Sequence, residues 1–184
     1  MKKIEIKEFG GPEVLEIKNV DIGKPGQNEV LVKNLSIGIN YIDTYHRSGL
    51  YPIPLPSGIG LEACSIIEEV GSEVKLFKVG DRVTRASMPI GTYSEKQIIP
   101  EDKLVKVPDN ISDEVASCIT LKGITAEYLL HRTYQVKKGD KILYHAAAGA
   151  LGQIFCPWAN ALGAEIIGTV GSDEKIEIAK KNGC

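Results

Sequence analysis

Residues 141–153 read KILYHAAAGALGQ, and a second apolar run, IFCPWANAL, follows directly. So many small side chains in succession suit a strand that turns sharply into a helix. Gly149 allows close approach of a ligand to the backbone, and Gly152 allows the helix to pack tightly on the strand. A helix that starts here offers free N–H groups and a partial positive charge to a phosphate. In a G-x-G-x-x-G pattern the first glycine would fall at Ala147, which an alanine can occupy if its φ stays negative. A tight strand-to-helix turn with no ligand is the competing reading, because such turns are common.

The rest of the chain has two textures. Up to about residue 107, short β-rich runs (KKIEIKEF, EVLEIKNV, EVLVKNLSI, CSIIEEV, DRVTRA, YSEKQIIP) alternate with glycine and proline turns. Their period of two predicts an antiparallel β domain, with barrel closure one solution. One helix, Ile39–Ser48, interrupts it and ends at Gly49. After Pro108 the pattern turns helical: a short helix capped by Ser112, then a second over Gly123–Tyr134. Strand Lys141–His145, helix Gly149–Leu162, strand Glu165–Val170 and helix Asp173–Asn182 follow, with Gly163 and Gly183 at helix ends. That order is β-α-β-α, the opening of a parallel doubly wound sheet.

Composition narrows the partners. Hydrophobic residues make up 43% of the 184, enough for a real core, and the formal net charge is −2 with both signs interspersed. Without basic runs or basic–aromatic interleaving, nucleic acid is not an expected partner. The N-terminus, MKKIEIKEF, has no signal-peptide core, and no apolar run is long enough to cross a membrane. Cys64, Cys118, Cys156 and Cys184 are widely spaced with no C-x-x-C pair, which fits a reducing cytoplasm better than a disulfide framework.

Four stretches in order, GINYIDTYHRSGLYP (38–52), GIGLEACSIIEEVGSEVKLFKVGDRV (58–83), LKGITAEYLL (121–130) and YHAAAGALGQ (144–153), give the chain a family resemblance. It resembles the zinc-independent, zeta-crystallin-like quinone oxidoreductases of the medium-chain dehydrogenase/reductase superfamily. The resemblance implies an α/β plus β fold: a GroES-like β-barrel catalytic domain (1–123), then the first half of a Rossmann doubly wound parallel sheet (124–184). It implies hydride transfer from NADPH to a quinone or another α,β-unsaturated carbonyl. Family members are expected to be homodimers, and the usual dimer edge is missing from this sequence.

Zinc alcohol dehydrogenases of the same superfamily carry metal ligands at positions that match Asn40, Leu61 and Lys122 here. None of the three can serve, so no catalytic zinc is expected, and the four-cysteine structural lobe is also missing. Glu62 alone is not a metal site; a partner for a cation or backbone donor is the simpler role. For the cofactor, NAD-preferring proteins place a carboxylate about 20 residues beyond the glycine turn. Here the second strand ends in Val170, Gly171 and Ser172, which leave room for a 2′-phosphate, and Lys175 can supply countercharge. Asp173 is either a helix cap or a source of repulsion.

By resemblance, Asn40, Tyr45 and Tyr51 line the nicotinamide and quinone pocket, and Thr125 lies near the nicotinamide ribose. Ala148, Gly149, Ala150, Leu151 and Gly152 hold the diphosphate, and Ser172 and Lys175 the 2′-phosphate. A tyrosine can stack on a quinone ring and hydrogen-bond with its hydroxyl, and an amide can orient a carbonyl. Half-buried packing is the alternative for the two tyrosines. His46 and His131 are expected at the surface or a boundary, and His145 as a support for the phosphate turn.

Two departures weigh against full function. The turn is G-A-L-G where the family has G-G-V-G, and Pro157 stands where the family has glutamine. A proline inside the helix removes one i→i−4 bond and predicts a kink near Gln153–Pro157. Only two strands of a six-strand sheet are visible, so the expectation is a C-terminally truncated reductase. The alternative is a non-enzymatic remnant or interaction protein. Exposed apolar surface is expected around Ile142, Leu143, Ile166 and Ile167.

Overall fold

The structure is a computed structural model that describes residues 1–184. Two compact units divide the chain, Met1–Thr120 and Leu121–Cys184.

The first unit holds β1 (Lys2–Ile6), β2 (Glu16–Asn19), β3 (Glu29–Gly38), α1 (Tyr41–Ser48), β4 (Ser57–Gly58), β5 (Glu62–Val70), β6 (Arg82–Ala86), β7 (Lys96–Pro100) and β8 (Val105–Lys106). Its strands form two antiparallel sheets, ordered β2-β1-β4 and β7-β3-β5-β6-β8. All six sequence-predicted strands are present; β4 and β8, two residues each, are too short to show a period. Val30, Val32, Ile67, Val83, Ile99 and Leu104 meet in one core cluster, which is what period-two patterning produces when one sheet face is covered. The Ile4 N–H donates to the Tyr93 carbonyl at 2.7 Å and the Glu95 N–H to the Lys2 carbonyl at 2.9 Å, tying the two sheets together.

The β3–β5 register slips between Asn34 and Ser36. Beside that slip, the Asn34 amide donates to the carbonyls of Thr92 (3.0 Å) and Ser94 (2.8 Å) and accepts from the Ser65 hydroxyl at 2.7 Å. The bulge thus anchors the loop that leads into β7. Arg85, buried on β6, closes the other side of that loop by donating to the carbonyls of Ser87 and Pro89 and to the Gln97 side chain. Burial without a carboxylate partner pulls its pKa down to about 10.

One helix, α2 (Asp113–Tyr128), replaces the two that the sequence suggested, and it passes from the first unit into the second. Ser112 caps it, accepting from the Val115 N–H at 3.3 Å. Gly123 does not break it, because tertiary packing outweighs the roughly 1 kcal/mol propensity cost of a mid-helix glycine. The sequence-predicted continuation to Tyr134 is instead a turn of π-helix, Leu129–Thr133. In the first unit, the Thr84 hydroxyl donates to the Ala116 carbonyl and Ser36 bonds Ser117, each at 2.9 Å. Any side chain at Gly38 would overlap the Ser117 carbonyl, so the close helix–strand contact requires glycine there.

In the second unit, β9 (Lys141–Tyr144) and β10 (Glu165–Gly168) pair in parallel, with α3 (Gly152–Ala161) crossing between them and α4 (Ile176–Lys181) following. The helix expected from Asp173 begins as a 3-10 turn, Asp173–Lys175, and becomes α-helical at Ile176. Gly163 and Gly183 close the two helices in left-handed conformations. The core gathers Ala126, Leu130, Phe155, Cys156, Ala159 and Ile166, and Tyr144 stacks on Phe155 with ring centroids 4.4 Å apart.

The expected apolar surface is half right. Leu143 and Ile167 are 62% and 54% exposed, whereas Ile166 is 5% exposed and Ile142 packs partly against the core. Neighbouring residues of a strand face opposite sides, and packed elements cover only the Ile142/Ile166 side.

Pro157 does not interrupt α3, which stays a single helix from Gly152 to Ala161. Its ring lies on the exposed face, between buried Cys156 and Ala159. The missing N–H still leaves the Gln153 carbonyl without its i+4 donor. Pro157→Gln is expected to stabilise the protein by up to about 3 kcal/mol, read from chemical denaturation, with no change of fold.

Candidate functional site

The first cluster of site residues forms where β3 delivers the chain to α1. Asn40 is the N-cap of α1, in extended conformation, and Gly49 ends the helix at φ 80. The Asn40 N–H donates to the Asp43 carboxylate at 2.9 Å, a reciprocal cap that fixes the first turn. The Asn40 side-chain amide donates to Glu62 on β5 at 3.0 Å. Glu62 therefore serves a side-chain amide, a partner that the sequence did not suggest. Asp43 also accepts from the Tyr93 hydroxyl at 2.9 Å. Burial holds the Asp43 carboxyl above the usual range, opposed by these two hydrogen bonds.

Tyr45 and Tyr51 share this end of the unit. Their rings meet edge-on with centroids 5.4 Å apart, and the Tyr51 N–H donates to the Tyr45 carbonyl at 3.1 Å. Tyr51 is exposed and Tyr45 half-buried, so α1 and the turn after it bring Asn40, Tyr45 and Tyr51 into one neighbourhood. His46 corrects the sequence reading. It is 7% exposed, not a surface residue, because it lies one turn beyond Asp43 on the inward face of α1. Its Nδ1 and the Asp43 Oδ1 are both buried without a hydrogen-bond partner.

Sequence reasoning passed over Asp43 and Tyr93. The Asn-x-x-Asp spacing carried the signal for the first. Nothing local to Tyr93 marks it, because its partner lies 50 residues away.

The second cluster is the turn between β9 and α3. The Ala147 N–H donates to the Thr169 carbonyl (3.0 Å), the Thr169 N–H to the Tyr144 carbonyl (2.9 Å), and the Gly149 N–H to the Ala146 carbonyl (2.8 Å). His145 adds a 3.0 Å hydrogen bond between its Nδ1 and the Thr169 hydroxyl, as a turn support should. The left-handed residue is Ala146, at φ 57, so the strain sits one position before Ala147. A side chain at Gly152 would collide with the Ala147 carbonyl, which is why the helix can start so close to the strand.

The backbone N–H groups of Ala148, Ala150, Leu151 and Gly152 make no hydrogen bond within the protein. Gly149 and Ala150 are exposed, and Leu151 is half-buried. Four unpaired donors at the start of a ten-residue helix match the acceptor oxygens of a diphosphate in both charge and number.

Beyond β10, no carboxylate precedes Asp173; Thr169, Val170, Gly171 and Ser172 fill the strand end. Ser172 precedes the 3-10 turn and its carbonyl accepts from the Lys175 N–H at 3.1 Å, leaving both residues exposed on one short turn. Thr125 lies on α2 and turns its hydroxyl back to the Leu121 carbonyl at 2.7 Å. Of the three zinc-ligand positions, Asn40 and Leu61 are buried in the first unit and Lys122 belongs to the second. No three His, Cys, Asp or Glu side chains cluster as a metal site.

Known proteins share this architecture. The alcohol dehydrogenase GroES-like domain family matches residues 26–109. The chain is 52% identical to a quinone oxidoreductase of Pseudomonas aeruginosa over 183 residues, covering 99% of this chain and 56% of that protein. It is 47% identical to the 2-haloacrylate reductase of a Burkholderia species, over 97% of this chain and 56% of that one. The crystal structure of Escherichia coli quinone oxidoreductase complexed with NADPH superposes with a TM-score of 0.96 at 50% identity, over all of this chain and 57% of that one. The chain thus spans little more than half the length of these relatives. The first unit is accordingly a GroES-like β domain, and the second carries part of a Rossmann-like parallel sheet.

Tyr93→Phe removes one of the two donors on buried Asp43. Stability should fall by about 1–3 kcal/mol, measured by urea unfolding, because the carboxylate loses a hydrogen bond that water cannot replace.

Proposed function

We propose that this chain, which belongs to the quinone oxidoreductase family of the medium-chain dehydrogenases/reductases, carries the substrate and diphosphate sites of an NADPH-dependent reductase that works without zinc. The observation that supports it most is the set of four unpaired N–H groups on the Ala148–Gly152 turn. On this reading residues 1–123 form the catalytic domain and residues 124–184 the start of the cofactor domain.

When bound, NADPH supplies the hydride. The protein's part is alignment, because hydride transfer between two flat rings needs distance and orientation more than acid–base help. The Ala148, Ala150, Leu151 and Gly152 amides bind the diphosphate, and Gly149 leaves room for it. Lys175 and Ser172 take the 2′-phosphate with no carboxylate at the strand end to repel it. Thr125 serves the ribose. Asn40, held by Glu62, presents its amide to a carbonyl oxygen, and Tyr45 and Tyr51 stack against the quinone or enone. A reducing cytoplasm completes the reading, with homodimer formation belonging to the whole protein of which this chain is a part. No helix is long and apolar enough to cross a membrane.

Lys175→Ala should weaken NADPH binding about tenfold or more and leave NADH binding nearly unchanged, measured by fluorescence titration, since one charge-assisted phosphate contact is worth about 1.5–3 kcal/mol. Equal losses for both cofactors, or tighter binding of NADH by the unaltered chain, would reject the 2′-phosphate assignment. NADPH oxidation with benzoquinone tests the activity itself, with Tyr51→Ala expected to raise KM more than it lowers kcat. Elemental analysis of the purified protein should find no stoichiometric zinc; one tightly held equivalent would overturn the metal-free mechanism.

A further inference from the structure

Tyr93 is held at three points. Its N–H donates to the Ile59 carbonyl at 2.9 Å, its carbonyl accepts from the Ile4 N–H at 2.7 Å, and its hydroxyl donates to Asp43 at 2.9 Å. Its ring lies over Gly60, where a Cβ would come within 2.4 Å of the ring edge and where φ is 97. A side chain at Gly60 would displace Tyr93 and strain the backbone together. Burial, and after it the Asp43 carboxylate, pushes the Tyr93 hydroxyl far above its ordinary value, so the group stays a donor. These contacts close a ring. Tyr93 packs on Gly60 and bonds Asp43, Asp43 takes the Asn40 N–H at 2.9 Å, and the Asn40 amide reaches Glu62, two residues after Gly60, at 3.0 Å. A single oxygen of Asp43, Oδ2, accepts from both Tyr93 and Asn40, while Oδ1 is buried with no hydrogen-bond partner.

We propose that Tyr93 and Asp43 are positioning residues for the reduction: through the Oδ2 atom of Asp43 they set the N-cap of α1 against β5 and so keep the Asn40 amide aligned on Glu62. Both act through Asn40 and not on the substrate. This role rests on the reading of Asn40 as the group that orients the substrate carbonyl. Asp43 serves as an acceptor and not as a charge, because one oxygen makes both bonds and the other makes none. Three substitutions separate these parts. Tyr93→Phe deletes the hydroxyl and leaves the ring on Gly60. Asp43→Ala deletes both bonds. Asp43→Asn keeps an acceptor oxygen for Tyr93 and Asn40, and its NH2 takes the place of the oxygen that has no partner.

The test takes two readouts on wild type and the three variants. One is the side-chain ¹⁵NH2 signal of Asn40, whose shift and hydrogen-exchange protection report its bond to Glu62. The other is the kinetics of NADPH oxidation with benzoquinone. Tyr93→Phe and Asp43→Ala should each shift the Asn40 signal and remove its protection. They should lower kcat by about tenfold to a hundredfold with KM for the quinone nearly unchanged, because alignment is lost and binding is not. Asp43→Asn should restore the Asn40 signal and most of the kcat lost in Asp43→Ala. If Asp43→Ala fails to fold, Tyr93→Phe carries the comparison with wild type. A bond that only stabilises the fold would lower the urea midpoint of Tyr93→Phe and leave the Asn40 signal, kcat and KM unmoved; that result overturns the proposal. So does an Asp43→Asn protein as impaired as Asp43→Ala. If wild type turns over no quinone, the reductase reading falls by itself, and the Asn40 signal alone decides: shifted in Tyr93→Phe, the positioning stands; unmoved, it is overturned.

Discussion

The contact between Gly152 and the Ala147 carbonyl governs the second unit. A side chain there would push α3 away from β9, and the helix would start further along the chain. Because the helix starts so early, the preceding residues cannot close their own hydrogen bonds, and four amides are left without a partner in the protein. The alanine at φ 57 is part of the same arrangement: strain of about 1–2 kcal/mol is tolerated because the Ala147–Thr169 and Thr169–Tyr144 bonds hold the backbone in place.

A comparable logic shapes the first unit. Gly38 lets α2 press its backbone onto the end of β3, and the chain leaving that contact becomes the N-cap of α1. Asn40 is then held twice, by its N–H on Asp43 and by its amide on Glu62. Strand β5 holds its side chain and the first turn of α1 its backbone. A group fixed this way before substrate arrives suits a reaction that depends on alignment.

Much of this was legible in the sequence, and the failures have physical causes. The six longer strands, α1 with its Gly49 cap and the β-α-β-α order after residue 140 follow from hydrophobic period and glycine placement. Period alone could not join the two helical stretches on either side of residue 120, because Gly123 looks like a break when packing is invisible. His46 was misplaced since its burial depends on what lies across α1, not on its neighbours in the chain. Pro157 costs α3 one hydrogen bond, and the helix still runs from Gly152 to Ala161. Ile166 and Ile167 look alike in sequence, and only the covered side of the strand separates them. Tyr93 is a long-range partner that no local spacing reveals.

The central claim is that the Ala148–Gly152 amides take a diphosphate. A ¹⁵N–¹H NMR titration with NADPH measures it residue by residue, even where binding is weak. The account predicts saturable downfield shifts at Ala148, Ala150, Leu151 and Gly152, with a weaker response at Ser172 and Lys175. The contrary result is perturbation confined to the apolar cavity of about 470 Å³ lined by Leu129, Val136, Ile142, Tyr144 and Phe155, with the four turn amides unmoved.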